Sequence, residues 1–151
     1  MINFFNEEIK FELNNKRIIS RWLRDIALEK GLKIGQLNYI FCDDSFLLQL
    51  NRETLGHDYY TDVISFDYSS DFVPQYGPDS ISGDIYISID TVRHNAETYG
   101  EGFERELHRV MAHGLLHLIG YDDVTPELRA EMTAREEEAL NRLSQFLTLS
   151  K

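Results

Sequence analysis

The stretch His113-Gly-Leu-Leu-His117-Leu-Ile-Gly120-Tyr-Asp122-Asp123 joins a helical repeat to two imidazoles and an acidic pair. His113 and His117 are four residues apart, so on a helix both side chains leave one face about a turn from each other. That spacing suits two nitrogen ligands on one Zn²⁺, each about 2.0–2.1 Å from the metal. Gly120 follows three residues later, where helices commonly end in a left-handed residue that glycine adopts at little cost. The turn after it can bring Asp122 or Asp123 back toward the histidines. Three protein ligands and one open position is the arrangement of a catalytic zinc rather than a structural one.

Paired helical histidines also occur as hydrogen-bonded core residues. Here Val110, Met111, Leu115, Leu116, Leu118 and Ile119 surround them, so neutral imidazoles would still need partners. The glycine and the acids at the right offset favour a metal site. His-x3-His-x2-Gly with a later third ligand is also the pattern of metzincin proteases, which carry Glu directly after the first His as general base. That position is Gly114 here, and a peptidase of that kind would lack its proton acceptor.

Together with Thr61-Asp-Val-Ile-Ser-Phe66, Gly83-Asp-Ile-Tyr-Ile-Ser88 and the Leu50-Asn51 pair, the histidine stretch resembles the YbeY endoribonucleases. The motifs keep that family's order and spacing from about Leu50 to Asp123. The resemblance implies a zincin-like arrangement, with the metal helix beside the sheet edge and an exposed cleft. It also implies a single-strand-specific metallo-endoribonuclease acting in 16S rRNA 3′-end maturation and ribosome quality control. The partners implied are ribosomal RNA and the small ribosomal subunit, with no DNA. One Zn²⁺ per chain would then be held by His113, His117 and Asp123. Asp122 would hold a histidine tautomer or act as a general base.

Two positions depart from the family pattern. Asp123 stands where the family has its third histidine, and its negative charge should weaken the metal as a Lewis acid. Leu55 stands where the family has an arginine that would stabilise charge on a phosphoryl oxygen. Arg52 and His57 are the nearby candidates to supply that cation. A zinc-stabilised ribosome-assembly factor with little nuclease activity is the alternative these departures favour. A hydrolase of small substrates or peptides is a third reading, disfavoured by Gly114.

At 151 residues the chain reads as one domain, residues 1–151, long enough to bury a core without staples. Hydrophobic residues make up 42% of it, which argues against disorder. The single cysteine, Cys42, excludes an intrachain disulfide and fits a reducing cytosol, with the thiol a buried small hydrophobe. No basic leader and no run of ~18 apolar residues is present, so a cytoplasmic protein without a membrane span is expected. The net charge of −11 is awkward for a nucleic-acid enzyme. Residues 1–33, however, hold seven Lys or Arg against five acids. Those cations form either a basic face or the solvated side of an amphipathic helix. Weak affinity for naked RNA, with recognition in a ribosomal context, follows from that balance.

Periodicity predicts a strand over 2–13 and a helix from a cap at Asn14 or Asn15 to Lys30. Ile18, Ile19, Trp22, Leu23 and Ile26 form its core stripe. A strand over 36–42 follows, then a short helix capped by Asp44 or Ser45 and ending near Arg52. A loop over 55–60 leads to a strand over 61–66, a long mobile loop over 67–82 and a strand over 83–89. Asp90 is expected to cap a helix to Tyr99. Phe103–Ile119 carries the histidines, and a last helix starts at Thr125-Pro126 with Met132, Ala139, Leu143, Phe146 and Leu147 inward. The Glu136-Glu137-Glu138 run reads as solvated. His108 falls off the metal face, and His94 reads as exposed. The order gives an α+β fold: a small mixed four-stranded sheet with helices packed on it.

Overall fold

The computed structural model describes residues 1–56 and 61–149. Its element order is β1 (Ile2–Asn6), α1 (Lys16–Leu28), β2 (Lys33–Cys42), α2 (Asp44–Leu55), β3 (Val63–Asp67), α3 (Val73–Tyr76), β4 (Ser80–Ser88), α4 (Ile89–Tyr99), α5 (Phe103–Ile119) and α6 (Pro126–Leu149). The strands lie in the order β1-β2-β4-β3, parallel except for β3, which runs antiparallel to β4 at the sheet edge. This is the α+β class with the mixed four-stranded sheet that the sequence predicts.

Alternation on the strands separates two faces. Leu37, Tyr39, Phe41, Ile85 and Ile87 meet the helical layer of α1, α4, α5 and α6 in the main core. Ile64, Cys42 and Leu47 form a smaller cluster under α2 on the opposite face, with Phe66 and Tyr86 beside it. Trp22 is fully buried in α1, and its Nε1 donates to the Ala139 carbonyl at 2.7 Å, so it is a core residue. Burial pushes the Cys42 thiol up to about 12, consistent with a packing role. Among the described residues no helix is long and apolar enough to cross a membrane.

Several boundaries differ from the sequence reading for local reasons. β1 stops at Asn6 because Glu8 adopts a left-handed φ of 60° and turns the chain away after Glu7 N donates to Phe41 O. Asn15 occupies the N-cap of α1, but its φ of 60° departs from the extended backbone of a side-chain cap, and no such cap forms. Asp43, rather than Asp44 or Ser45, caps α2 by accepting from Phe46 N at 2.8 Å. Asp44 instead accepts from the hydroxyls of Ser88 and Thr91. Ser88, rather than Asp90, caps α4, and Asp90 accepts from Asp44 N. The connection after β3 is not slack. It holds a 3-10 turn (Ser69–Phe72) and α3, and it is tied to β4 by hydrogen bonds between Ser69 and Ser82 and between Tyr68 N and Ser82 O.

The histidine helix crosses the sheet at Gly114. A Cβ there would lie 2.7 Å from Ile85 Cγ2 and 3.3 Å from Ser65 Oγ, and Ser65 Oγ donates to the Gly114 carbonyl at 3.2 Å. The absent side chain lets α5 lie against β3 and β4. The same direction explains why no acid follows His113: a side chain at 114 would run into the sheet. Gly114→Ala should therefore lower stability by about 1–2 kcal/mol, overpacking outweighing the ~1 kcal/mol gain in helix propensity. A lower urea midpoint at unchanged slope would bear this out; an unchanged or higher midpoint would refute the close packing.

Candidate metal centre

The α5 register places His113 and His117 one turn apart, with ring centroids 4.6 Å from each other and the Nε2 atoms 3.0 Å apart. Gly120 ends the helix at a φ of 124°, and its N–H donates to both the Leu116 and His117 carbonyls. The chain then doubles back. Asp123 Oδ2 comes to 3.5 Å from His113 Nε2 and 3.6 Å from His117 Nε2. Ligands about 2.0–2.1 Å from a tetrahedral metal are themselves about 3.3 Å apart, so two imidazole nitrogens and one carboxylate oxygen converge at the right scale. These three residues form a group that could hold a metal ion.

Of the two acids left open by the spacing, Asp123 reaches the histidines. Asp122 is exposed, and its Oδ1 accepts from Asp123 N at 2.7 Å. The carboxylate that meets an imidazole is Glu136 of α6, 2.6 Å from His113 Nδ1 and 2% exposed. With Nδ1–H donated to Glu136, the lone pair of His113 is left on Nε2, facing the other two donors. Glu136 was expected to be solvated. It is instead buried, because it lies four residues after Met132 and three before Ala139 on the inward face of α6, and that spacing is the sequence signal for it.

A buried carboxylate needs a partner. Arg109 Nη1 lies 3.1 Å from Glu136 Oε1, and its Nε and Nη2 also bond the fully buried Glu106. Glu106, Arg109 and His113 recur at three and four along α5, so a chain of alternating charge runs down the helix to the site. Burial pushes the Glu106 carboxyl up, and Arg109 opposes it.

The three donors open onto a cleft of about 510 Å³ between α2, the β3 edge and the end of α5. Asn51, buried, and Leu55, 48% exposed, come from α2, and Thr61 to Ser65 supply the floor. No Lys or Arg is on this wall among the described residues. Arg52 is exposed and does not line the cleft, since it is about 100° around α2 from Asn51. His57 lies outside the described residues. Asp62, a site residue that sequence reasoning did not single out, lines the cleft beside His113. Burial pushes its carboxyl above the usual range, while His113 and Arg109 pull it down. His108 is buried edge-on to Trp22 and His94 is exposed; neither joins the cluster.

Burial pulls the His113 imidazole down, but Glu136, Asp62 and Asp123 outweigh it and raise its pKa above the ordinary 6.5. The pair thus stabilises metal-free protein below the unfolded value, and that contribution is lost as pH rises through the raised folded value. In metal-free protein, NMR titration of the His113 ring should give a midpoint above 6.5. Glu136→Gln should bring that midpoint down and weaken metal binding about 10–100-fold. A midpoint that Glu136→Gln leaves unmoved would remove the carboxylate from this role.

A model of the family described as Endoribonuclease YbeY matches residues 1–144. A relative named Endoribonuclease YbeY from Phocaeicola vulgatus is 44% identical over 144 residues, covering 95% of this chain and 99% of that protein. Another with that name from Cytophaga hutchinsonii is 46% identical over 140 residues, covering 93% and 94%. A solution structure of a Thermotoga maritima protein shares the fold, with a TM-score of 0.64 and 25% identity over 99% of this chain and 93% of that one. The motifs at 61–66, 83–88 and 113–123 thus lie within a match that spans nearly the whole chain: it belongs to the endoribonuclease YbeY family, whose activity is RNA cleavage.

Proposed function

We propose that this protein is a zinc-dependent, single-strand-specific endoribonuclease that matures the 3′ end of 16S rRNA and serves ribosome quality control in the cytoplasm. The observation that carries this reading is the convergence of His113 Nε2, His117 Nε2 and Asp123 Oδ2 on an open cleft, in a chain of this family. His113, His117 and Asp123 would hold the ion. Zinc in such a site supplies Lewis-acid polarisation of a phosphoryl oxygen and lowers the pKa of a water toward ~7.

The chain's own residues do the rest. Glu136, anchored by Arg109, orients His113 and keeps its proton on Nδ1. Asp62 lines the cleft with a carboxyl whose raised pKa suits moving a proton to or from the reacting oxygens. Asp122 fixes the Asp123 backbone rather than an imidazole. The 2′-hydroxyl of RNA and a water are both available nucleophiles. The small ribosomal subunit is the proposed partner, since a net charge of −11 gives naked RNA little attraction.

A zinc-stabilised assembly factor with little nuclease activity is the second reading, favoured by Leu55 on a cleft wall that carries no Lys or Arg among the described residues. Single-turnover cleavage of a 16S 3′-end substrate, with chelator and after zinc restoration, separates the two. Cleavage abolished by chelator and by His117→Ala supports the nuclease. Co-sedimentation with the small subunit without cleavage supports the second reading.

Metal analysis tests the ligand set. About one zinc should be found in the wild type, none in Asp123→Ala, and one in Asp123→His. The rising limb of the cleavage pH profile should move to lower pH in Asp123→His, because a neutral ligand leaves the ion a stronger Lewis acid. Undiminished zinc in Asp123→Ala would remove Asp123 from the set.

A further inference from the structure

A second recess, of about 250 Å³, adjoins the metal centre on the α6 side and shares Asp62, His113 and Asp123 with the cleft. Among the described residues it alone of the two brings Lys or Arg to the donors: Arg109 from α5 and Arg129 from the start of α6. The two guanidiniums are not equivalent. Arg109 is held between the carboxylates of Glu106 and Glu136, and its charge is compensated. Arg129 is exposed and meets only the Asp123 carbonyl, at 3.4 Å, so its charge faces no carboxylate among the described residues. Thr133, one turn along α6 on the same side, adds a hydroxyl to the recess.

From this we infer that Arg129 and the recess around it form a binding subsite for a backbone phosphate of single-stranded RNA, next along the strand from the phosphate at the metal. The inference rests on the proposed nuclease reading. A guanidinium is suited to this ligand because its planar fork of donors matches phosphate oxygens. The described residues of α2 bring no arginine to the cleft, and Arg129 supplies a cation to the same centre from the opposite wall. The contact with the Asp123 carbonyl keeps that cation beside the third donor of the site. A strand lying along the β3 edge would then pass the metal centre and place its following phosphate in the recess. The subsite reads backbone rather than base, so it adds affinity and register without sequence preference.

The test is the salt dependence of binding to a short single-stranded RNA, with cleavage blocked by chelator, for wild type, Arg129→Ala, Arg129→Lys and Arg17→Ala. Arg17→Ala removes the same charge from an exposed position of α1, which lines neither cavity. Each phosphate contact contributes about 0.7 to the slope of log affinity against log salt for single strands. Arg129→Ala should lower the slope by about that amount on RNAs of any sequence. Arg129→Lys should keep most of it, and Arg17→Ala should change it little. Zinc content is measured on every variant, loaded before chelation. An unchanged slope in Arg129→Ala, or an equal drop in Arg17→Ala, overturns the subsite while leaving the nuclease reading intact. Loss of zinc in Arg129→Ala also overturns it, since the residue would then serve only to hold the Asp123 turn. A wild type that neither binds nor cleaves RNA removes the nuclease reading and the subsite together.

Discussion

Glu136 reaches His113 Nδ1 at 2.6 Å across the interface of α5 and α6, and the functional half of the molecule is arranged around that contact. A buried carboxylate is costly in isolation, and two groups offset it here: the imidazole on one side and Arg109 on the other. Arg109 in turn requires Glu106, which is itself fully buried. The result is a ladder of alternating charge within an otherwise apolar helical layer. Its last rung is the His113 ring, whose Nε2 faces His117 and Asp123. The long last helix, by its length and apolar stripe a packing element, is thereby also part of the metal centre.

Close packing sets the second constraint. Gly114 lets α5 lie against Ile85 and Ser65, so the turn bearing His113 and His117 comes level with the β3 edge. β3 pairs with β4 on one side only, and the cleft follows its other side. The centre is therefore open, bounded by an edge strand and α2 rather than enclosed in the core. An open site of this kind admits a polymer, whereas small-ligand pockets bury most of their ligand.

Electrostatics distinguishes the two walls of the centre. Among the described residues the cleft side presents Asn51, Leu55 and Asp62 without Lys or Arg, while the α6 side presents Arg109 and Arg129. None of the basic residues of 1–33 lines either cavity. Two of them cover aromatic rings instead: Arg21 stacks over Phe146 and Lys30 over Tyr121. At those positions the basic N-terminal segment covers packed rings.

Sequence alone determined the four strands, the five longer helices and the two histidines, but not the short turns between Asp67 and Ser80. Helical and strand periods are local, so the stripe of α1, the alternation of β2 and the His-x3-His spacing can be read without knowing what they pack against. Family motifs carried the rest of the fold and Asp123. Caps and strand ends were misplaced by one to several residues, because a left-handed Glu8 or a hydroxyl from a distant helix competes for the same backbone groups. The spacing alone leaves Asp122 and Asp123 open, and the tertiary structure brings Asp123 to the histidines. The tertiary structure alone turned Glu136 from a solvated acid into the partner of His113, and set Arg129 beside the site. Those outcomes depend on how α6 docks on α5, a contact between residues 23 apart in the chain, which no local period encodes.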